Sequence, residues 1–224
     1  MVTLDLIIEG GTYTDNASAD TYFNIESLRQ SLHNFFSRIL NRDDIGIVIH
    51  MGAGYRNALK AFINSTNSYG LFVDSDLPPE NKNSWFDKLI NIEHPENSIN
   101  VPDERKAYIF FMIQEMEAWF LKQPECISRW AEIEGYCRKD SSIDIKYHST
   151  IKGKNIESIA KPSEKLSIIM KHFFYKGAKA AKYGKLKTAP LLLDSLDVTI
   201  LIPLDLELQR FISMVNDISV SNYR

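Results

Sequence analysis

The chain has 224 residues and a formal net charge of −3, and 44% of its residues are hydrophobic and 25% charged. These values are ordinary for a globular protein, and the length suits a single α/β domain. No apolar run is long enough to span a bilayer, and the N-terminal run is interrupted by Asp5 and lacks a basic flank and a cleavage site. A cytoplasmic protein without membrane association is therefore expected. Cys126 and Cys137 have no metal-ligand spacing and are expected to be reduced, unpaired thiols.

The first half of the chain alternates between patterns typical of strands and of helices. Three short apolar runs, at residues 4–9, 45–50 and 71–76, predict buried strands. A polar loop at residues 12–20 follows the first strand, and a helix at residues 55–64 follows the second. Strands that alternate with helices at this spacing predict a mostly parallel sheet with helices on both sides. Between the first two strands, six apolar residues at helical spacing predict an amphipathic helix: Leu28, Leu32, Phe35, Phe36, Ile39 and Leu40.

Carboxylates stand at the ends of the first and third predicted strands. Asp74 and Asp76, two residues apart on a strand, are expected to point to the same face. Two like charges about 4 Å apart repel by roughly 4 kcal/mol at an effective dielectric constant near 20, so a proton, a basic group or a divalent cation must offset the repulsion. Glu9 adds a third acid if its strand lies beside that of Asp74. Mg²⁺ and Mn²⁺ favour such oxygen ligands, which predicts a metal site, whereas the alternative is that the two Asp residues only cap a turn.

Glycines follow the same strand ends, Gly10 and Gly11 after the first strand and Gly52 and Gly54 after the second. A glycine-rich turn before a helix exposes main-chain N–H groups that suit phosphate, and we assign these four glycines to phosphate binding. The alternative is a tight turn that simply requires glycine, since the spacing is not that of a Walker loop. Because ligands of open parallel sheets bind at the carboxyl ends of the strands, one site can contain both the acids and these turns.

Residues 107–121 are apolar on all sides except for Gln114, Glu115 and Glu117. We interpret this segment as a largely buried helix. A buried carboxylate is costly unless it is paired or binds a metal. On a regular helix Glu115 and Glu117 are about 200° apart and cannot share an ion. Glu117 is preferred as a metal ligand, with a salt bridge to a lysine as the alternative; for Glu115 the salt bridge is favoured.

The composition changes sharply at residues 152–187, where ten lysines accompany two glutamates, a net charge of +8 in a chain whose total is −3. This asymmetry indicates a polyanionic partner. Phe173, Phe174, Tyr175 and Tyr183 lie among the lysines, as in surfaces that follow a phosphate backbone and stack bases. The alternative is a helix with a solvated lysine face and an aromatic core face.

Lys185 and Lys187 are the lysines with the most specific expected role. They lie beside Tyr183 and just before a predicted helix start at residues 188–190. A cation near a two-carboxylate metal site can stabilise the charge that develops on phosphate. We therefore assign both lysines to the catalytic group, together with the three acids at the strand ends.

The remaining segments carry less information. Residues 77–103 predict a polar connection or lid with a short helix at residues 85–90, and residues 126–150 predict a polar excursion dotted with aromatic residues. Near the end, the chain predicts an apolar helix from residue 191, a strand at residues 198–202 and a last helix from Leu206. We divide this single domain into an α/β core (1–125), a helical, basic insertion (126–190) and C-terminal core elements (191–224).

Five motifs occur in an order that resembles a known family. They are residues 7–11 (IIEGG), 51–54 (MGAG) with 57–60 (NALK), 73–76 (VDSD), 114–120 (QEMEAWF) and 189–192 (APLL). In this order they resemble the domain of unknown function 4276 family, bacterial proteins thought to be Toprim-like and often encoded beside an ATPase. The Glu-Gly and Asp-x-Asp strand ends are similar to the Toprim domain of topoisomerases, primases and overcoming-lysogenization-defect nucleases. The sequence departs from that pattern at Leu77-Pro78-Pro79, where Toprim domains carry small residues.

The resemblance implies a Toprim-like or Rossmann-like fold and Mg²⁺ or Mn²⁺ bound by Glu9, Asp74 and Asp76, with Glu117 as a fourth acid. It implies metal-dependent cleavage of a phosphodiester in nucleic acid, DNA being favoured over RNA, with help from one of the two lysines. A separate ATPase partner, in antiphage defence or DNA repair, is implied by family context alone.

Two other functions are compatible with the same residues. A non-catalytic binding or regulatory subunit would use the acids for a structural ion or for none, and its basic segment would dock a partner. A phosphotransfer or nucleotide-processing enzyme would need a nucleotide pocket, of which the glycine turn is the only sign in the sequence. A homo-oligomer is compatible with any of these functions.

Overall fold

The architecture is a four-stranded parallel sheet flanked by helices, which confirms the predicted α/β class. A computed structural model describes residues 2–11 and 18–221, so residues 12–17 of the predicted polar loop lie outside the described residues. The strands are β1 (Val2–Ile8), β2 (Ile45–Met51), β3 (Ser68–Asp74) and β4 (Ile109–Met112), in the spatial order β2-β1-β3-β4.

Helices account for most of the other elements. None of the helices in the described part of the chain combines the length and the apolar composition that a membrane span requires. A long 3₁₀ segment, Pro79–Leu89, contains most of the short helix predicted at residues 85–90. The α-helices are α1 (Ala19–Leu40), α2 (Tyr55–Asn64), α3 (Asp103–Lys106), α4 (Ala118–Lys122), α5 (Glu125–Ile133), α6 (Pro162–Phe173), α7 (Lys185–Asp194), α8 (Val198–Leu201) and α9 (Leu206–Ser221).

Alternate residues of the central strands face two separate apolar cores. On one face, Leu6 and Phe72 pack with α1 and with the C-terminal helices. On the other face, Ile7 and Leu71, which are partners in the β1–β3 register, pack with α2 and with Trp85. Because side chains of a strand alternate between faces, β1, β3 and β4 each contribute to both cores, whereas β2 contributes only to the first.

Helix α1 confirms the predicted amphipathic pattern, since all six predicted core residues are buried. This helix also holds α7. The Arg38 guanidinium donates hydrogen bonds to the carbonyl oxygens of Leu193 (2.7 Å) and Leu196 (2.8 Å), at the carboxyl end of α7. A cation at the carboxyl end of a helix also interacts favourably with the helix dipole. Arg38 thereby helps to fix the helix that begins with Lys185.

The C-terminal part of the chain joins the same core. One buried apolar cluster extends from Leu4 to Val215 and includes residues of α6, α7 and α9. The basic segment contributes most of a small antiparallel sheet, made of β5 (Cys137–Arg138), β6 (Phe174–Lys176) and β7 (Lys179–Ala180). Strands β6 and β7 form a hairpin that turns at Gly177, whose φ of 60° favours glycine. Residues 126–150, predicted as a polar excursion within a helical insertion, contain most of α5 and all of β5.

The segment at residues 107–121 is buried as predicted, but it is not a single helix. It contains strand β4, a turn with Gln114 at a φ of 61°, and the short helix α4. A strand inside a parallel sheet is covered on both faces, so its sequence is apolar throughout and does not alternate. That property is shared with a buried helix, which explains the wrong prediction.

Two C-terminal predictions are also corrected. Residues 198–202, predicted as a strand, form α8 and the start of a 3₁₀ turn, because Asp197 Oδ1 accepts a hydrogen bond from Thr199 N (2.9 Å) and caps the helix. Helix α7 begins at Lys185 rather than at residues 188–190. Its first turn closes on the carbonyl oxygen of Gly184, which accepts a hydrogen bond from Thr188 N (2.7 Å).

Candidate active site

The candidate site lies at the carboxyl edge of the parallel sheet, where β1, β3 and β4 end side by side. Glu9 follows β1 directly and continues the ladder, since its N–H donates to the carbonyl oxygen of Phe72 (2.8 Å). Asp74 is the last residue of β3, and Glu117 follows the turn after β4. Glu9 was expected to join the site if its strand lay beside that of Asp74. This condition is met, because β1 and β3 are neighbours and both run toward this edge.

The turn after β4 brings Glu117 back over the end of β3. Ser75, which is fully buried, holds this turn because its Oγ accepts a hydrogen bond from Gln114 N (2.8 Å). The N–H of Asp76 donates to the carbonyl oxygen of Gln114 (2.9 Å). The N–H of Met116 then donates to Asp74 Oδ1 (2.9 Å). These hydrogen bonds fix the positions of Asp74 and of the chain that carries Glu117.

Asp74 is the centre of a cluster of charged side chains. Its own N–H donates to Glu9 Oε2 (3.0 Å), and Lys185 Nζ lies 3.2 Å from its Oδ2. Lys185 Nζ also lies 4.0 Å from Glu117 Oε1, so the same ammonium group links Glu117 to Asp74. We call Glu9, Asp74 and Glu117 the acid cluster. One ammonium group, that of Lys185, stands among three carboxylates.

Glu117 carries an unsatisfied oxygen. Its side chain is 1% exposed, and Tyr183 donates its hydroxyl hydrogen to Glu117 Oε1 (2.6 Å). Oε2 is buried and has no hydrogen-bond partner in the described structure. An unpaired buried carboxylate oxygen carries a substantial desolvation cost. The surroundings of Glu117 include both of its predicted alternatives, a lysine nearby and an oxygen free to take a cation.

Burial and mutual repulsion perturb the titration of the cluster. The pKa of Asp74 is raised to about 7, mainly by burial; the Lys185 ammonium opposes this rise, and the Glu117 and Glu9 charges add to it. Burial also raises the pKa of Glu9, against the opposing effects of the Asp74 N–H and Lys185. For Lys185, burial disfavours the charge, but the Asp74 and Glu117 carboxylates outweigh it and raise the pKa. Burial and the neighbouring Glu117 raise the pKa of Tyr183 well above its usual value. A perturbed cluster of this kind is typical of functional sites, although structural ion pairs produce it too.

Asp76 is placed differently from its prediction. Strand β3 ends at Asp74, and Asp76 adopts a left-handed φ of 54°, so the two side chains are not neighbours on one strand face. The Asp76 side chain is 67% exposed and lies 3.2 Å from Lys88 Nζ. It remains near the cluster, because its charge contributes to the raised pKa of Glu9.

The two predicted catalytic lysines lie in different surroundings. Lys185 enters the acid cluster, whereas Lys187 is exposed and forms no ion pair within the described residues. Two residues apart on helix α7, their side chains point about 200° away from each other. Glu115 lies outside the cluster. Its Oε2 accepts a hydrogen bond from Ser163 N (2.7 Å) at the start of α6, in place of the lysine salt bridge that was favoured for it.

The glycine turns lie at the same edge, and packing accounts for the tightest of them. A Cβ on Gly52 would lie 2.3 Å from the Cβ of Ala58, so the turn requires glycine to pack against α2. Gly10, Gly11 and Gly54 have φ values of 127°, 64° and 87°, which glycine adopts readily. The alternative of a turn that needs glycine therefore has direct support, and phosphate binding by these residues stays a prediction.

The aromatic residues of the basic segment divide between core and site. Phe173 and Phe174 are buried in the main core, so the suggestion that they stack bases is wrong. Tyr175 is 37% exposed on the β6–β7 hairpin. Tyr183, predicted as a neighbour of lysines and grouped with the base-stacking candidates, is a hydrogen-bond partner of Glu117. Its position two residues before Lys185 was the only sequence signal for that role.

The cluster offers oxygen donors that suit a hard cation. Carboxylates are the ligands that Mg²⁺ and Mn²⁺ favour, and the buried Glu117 Oε2 needs a partner. In the arrangement that the structure describes for residues 2–11 and 18–221, no three acid, His or Cys side chains are grouped so as to hold a metal ion. The chemistry of the donors therefore fits a divalent cation, while their present arrangement is built around Lys185.

Comparisons with protein-family models, with curated proteins and with solved structures find no match to this chain. The resemblance to the domain of unknown function 4276 family and to Toprim domains stays a prediction.

Proposed function

We propose that this protein is a divalent-metal-dependent nuclease that cleaves phosphodiesters in nucleic acid, with DNA favoured over RNA. The observation that carries the proposal is Glu117 Oε2, a buried carboxylate oxygen without a hydrogen-bond partner. Glu117 belongs with Asp74 to the acid cluster at the carboxyl edge of a parallel sheet, which is where proteins of this architecture bind ligands. A cation would remove the cost of leaving this oxygen unpaired.

Each residue of the cluster has a distinct part in this proposal. Glu9, Asp74 and Glu117 would hold Mg²⁺ or Mn²⁺, with Asp76 as a further ligand from the adjoining turn. When bound, such an ion supplies Lewis acidity and lowers the pKa of water. The Tyr183 hydroxyl orients Glu117 by binding Oε1, and this leaves Oε2 available. The ammonium group of Lys185 provides positive charge where a phosphate oxygen would gain negative charge.

The basic segment supports a polyanionic substrate. Lys176, Lys179 and Lys182 are exposed on or directly after the β6–β7 hairpin, together with Tyr175. The chain passes from this hairpin straight to Tyr183 and Lys185 in the acid cluster. Lysines that neutralise phosphates supply the sequence-independent part of nucleic-acid affinity. A bound strand could thus follow the hairpin to the cluster. A separate ATPase partner, in antiphage defence or DNA repair, is part of the proposal and rests on the family resemblance.

Metal titration tests the proposal directly. We expect Mn²⁺ to bind the wild-type protein in a calorimetric titration, and we expect Glu117→Gln and Asp74→Asn each to weaken binding by about tenfold or more, equivalent to about 1.4 kcal/mol. Mn²⁺-dependent cleavage of plasmid DNA should fall in the same variants. The matched control is Glu115→Gln, because this acid lies two residues from Glu117 and bonds Ser163 instead of joining the cluster.

The outcomes separate the nuclease from its alternative. Mn²⁺ binding weakened in Glu117→Gln and unchanged in Glu115→Gln would place the ion at the cluster. If the wild-type protein bound neither Mn²⁺ nor Mg²⁺, even with nucleic acid present, the metal-dependent mechanism would fail.

The second candidate is a non-catalytic binding or regulatory subunit, and one observation favours it. Lys185 already pairs with Asp74 and approaches Glu117, so most of the cluster can be a buried ion-pair network. In that case the basic segment would dock a partner and the acids would serve folding. Nucleic-acid affinity unchanged by Asp74→Asn, without metal binding or cleavage, would support this candidate.

A further inference from the structure

The ammonium group of Lys185 stands where a cation would serve the acid cluster. Lys185 Nζ lies 3.2 Å from Asp74 Oδ2 and 4.0 Å from Glu117 Oε1. The charges of Asp74, Glu117 and Glu9 all act on Lys185. In the described structure this side chain is therefore the counter-ion of the cluster.

The acids are held more firmly than the lysine. Main-chain N–H groups bind Asp74 Oδ1 and Glu9 Oε2, and the Tyr183 hydroxyl binds Glu117 Oε1. The side chains of Asp74 and Glu117 are 13% and 1% exposed, whereas that of Lys185 is 35% exposed. A lysine has a flexible four-carbon stem, so Lys185 can turn toward solvent without moving the acids.

We propose that Lys185 and a divalent cation exclude each other from the acid cluster, so that Lys185 must leave Asp74 before the ion can bind. This inference rests on the proposed function. Mg²⁺ requires carboxylate oxygens at about 2.0 to 2.1 Å, and Lys185 occupies Asp74 Oδ2, which such an ion would need. An ammonium group and a divalent cation a few ångströms apart also repel strongly in a site with little water.

The exchange of Lys185 for a divalent cation explains two features of the site. Glu117 Oε2 lacks a partner because a single ammonium group cannot satisfy every oxygen of three carboxylates. The acids are not grouped for a metal ion in the described residues because they are arranged around Lys185. Once displaced, Lys185 remains the first residue of α7 at the mouth of the cluster, with its charge free to meet a phosphate.

The test is the Mn²⁺ affinity of Lys185 variants, measured by calorimetry at one pH and one salt concentration. We expect Lys185→Met to bind Mn²⁺ about tenfold more tightly than the wild type, because the competing charge is gone. The matched control is Lys187→Met, which removes an exposed lysine of the same helix and should leave the affinity unchanged. A lysine that only holds the acids in place would leave the metal affinity unchanged or lower it when removed.

A second variant keeps the test decisive if Lys185→Met does not fold. Lys185→Arg retains the charge, and its Mn²⁺ affinity should be equal to that of the wild type or lower; a clear increase would overturn the inference. Equal or weaker affinity in a folded Lys185→Met would overturn it as well. If either result overturned the inference about Lys185, weaker Mn²⁺ binding by Glu117→Gln would still support a metal site at the acid cluster. Absence of Mn²⁺ binding in every protein, including the wild type, would end both proposals.

Discussion

At the scale of single residues, Asp74 makes the stability of the protein depend on pH. Its pKa is raised to about 7, mainly by burial, so the native state binds a proton more tightly than the unfolded chain. Protonated Asp74 is favoured in the folded protein, and its ionisation is a cost. The free energy of unfolding should therefore fall as pH rises from about 4 to about 7, by up to about 4 kcal/mol from this group.

Urea denaturation of the Asp74→Asn variant checks this prediction. The free energy of unfolding of the variant relative to the wild type should increase from about pH 4.5 to about pH 7.5, which covers most of the pH range in which Asp74 is expected to titrate. Asp140→Asn provides a control that should not depend on pH in this range. Hydrogen bonds from Ser142 lower the pKa of Asp140, so it stays ionised at both pH values and replacing it should cost the same stability at each. A constant difference between Asp74→Asn and wild type across this range would show that Asp74 titrates normally.

At the scale of secondary-structure elements, the β6–β7 hairpin is the surface that we propose binds a nucleic-acid backbone. Lys179 and Lys182 are exposed, and Lys182 directly precedes Tyr183 of the site. We expect Lys179→Glu with Lys182→Glu to weaken binding of duplex DNA by about tenfold at roughly 0.15 M salt. The slope of log affinity against log salt concentration should become shallower by about 2, close to one unit for each phosphate that the lysines no longer neutralise.

A filter-binding or fluorescence-anisotropy titration at several salt concentrations measures both quantities. Lys60→Glu, on the exposed side of α2, is the control for a change of net charge. Mn²⁺ affinity should be unaffected by the double variant, because neither lysine contacts the acid cluster in the described structure. Equal reductions of affinity in Lys60→Glu and in the hairpin variant would remove the hairpin from the proposed interface.

The elements also show how far sequence reasoning reaches. Periodicity predicted β1, β2, α1 and α2, because in those segments one face is buried and the other is not, or a short apolar run is bounded by turns. The prediction was wrong for β4, because a strand covered on both faces shows no alternation of apolar and polar residues. It also misjudged α8, where the Asp197 cap outweighs the strand preference of Val198, Thr199 and Ile200.

The site was predictable in part, for a related reason. Glu9 and Asp74 stand at ends of recognisable strands, and parallel strands necessarily bring such ends to one edge. Glu117 and Lys185 were singled out as a costly buried acid and a nearby cation. The hydrogen bond of Tyr183 to Glu117 and the exposure of Asp76 depend on the turn after β3 and on the docking of α7. These are long-range interactions, and the position of Tyr183 two residues before Lys185 is the only local sequence signal for either of them.

At the scale of the whole molecule, one apolar cluster joins the N-terminal strands to the C-terminal helices. It contains Leu4 of β1, Leu193 of α7 and Val215 of α9, and it also includes buried residues of the basic segment. The acid cluster depends on the same core, since Glu9 and Asp74 come from strand ends, Glu117 follows the turn after β4, and the lysine and tyrosine that contact these acids come from the segment around α7. We therefore expect the chain to unfold in one cooperative transition, without an independently stable unit at residues 126–190.

The tryptophans allow this expectation to be tested on both sides of the sheet. Trp85 lies in the core beneath α2, whereas Trp119 and Trp130 lie in the core that contains α1 and α7. Urea transitions followed by fluorescence in a Trp85→Phe variant and in a Trp119→Phe, Trp130→Phe variant should each coincide with the transition followed by circular dichroism of the same variant. If the signal from Trp119 and Trp130 disappeared at a lower urea concentration than the signal from Trp85, the core around α7 would be a separate unit. Lys185 and Tyr183 could then leave the acids without global unfolding, and the site would assemble only when that unit docks.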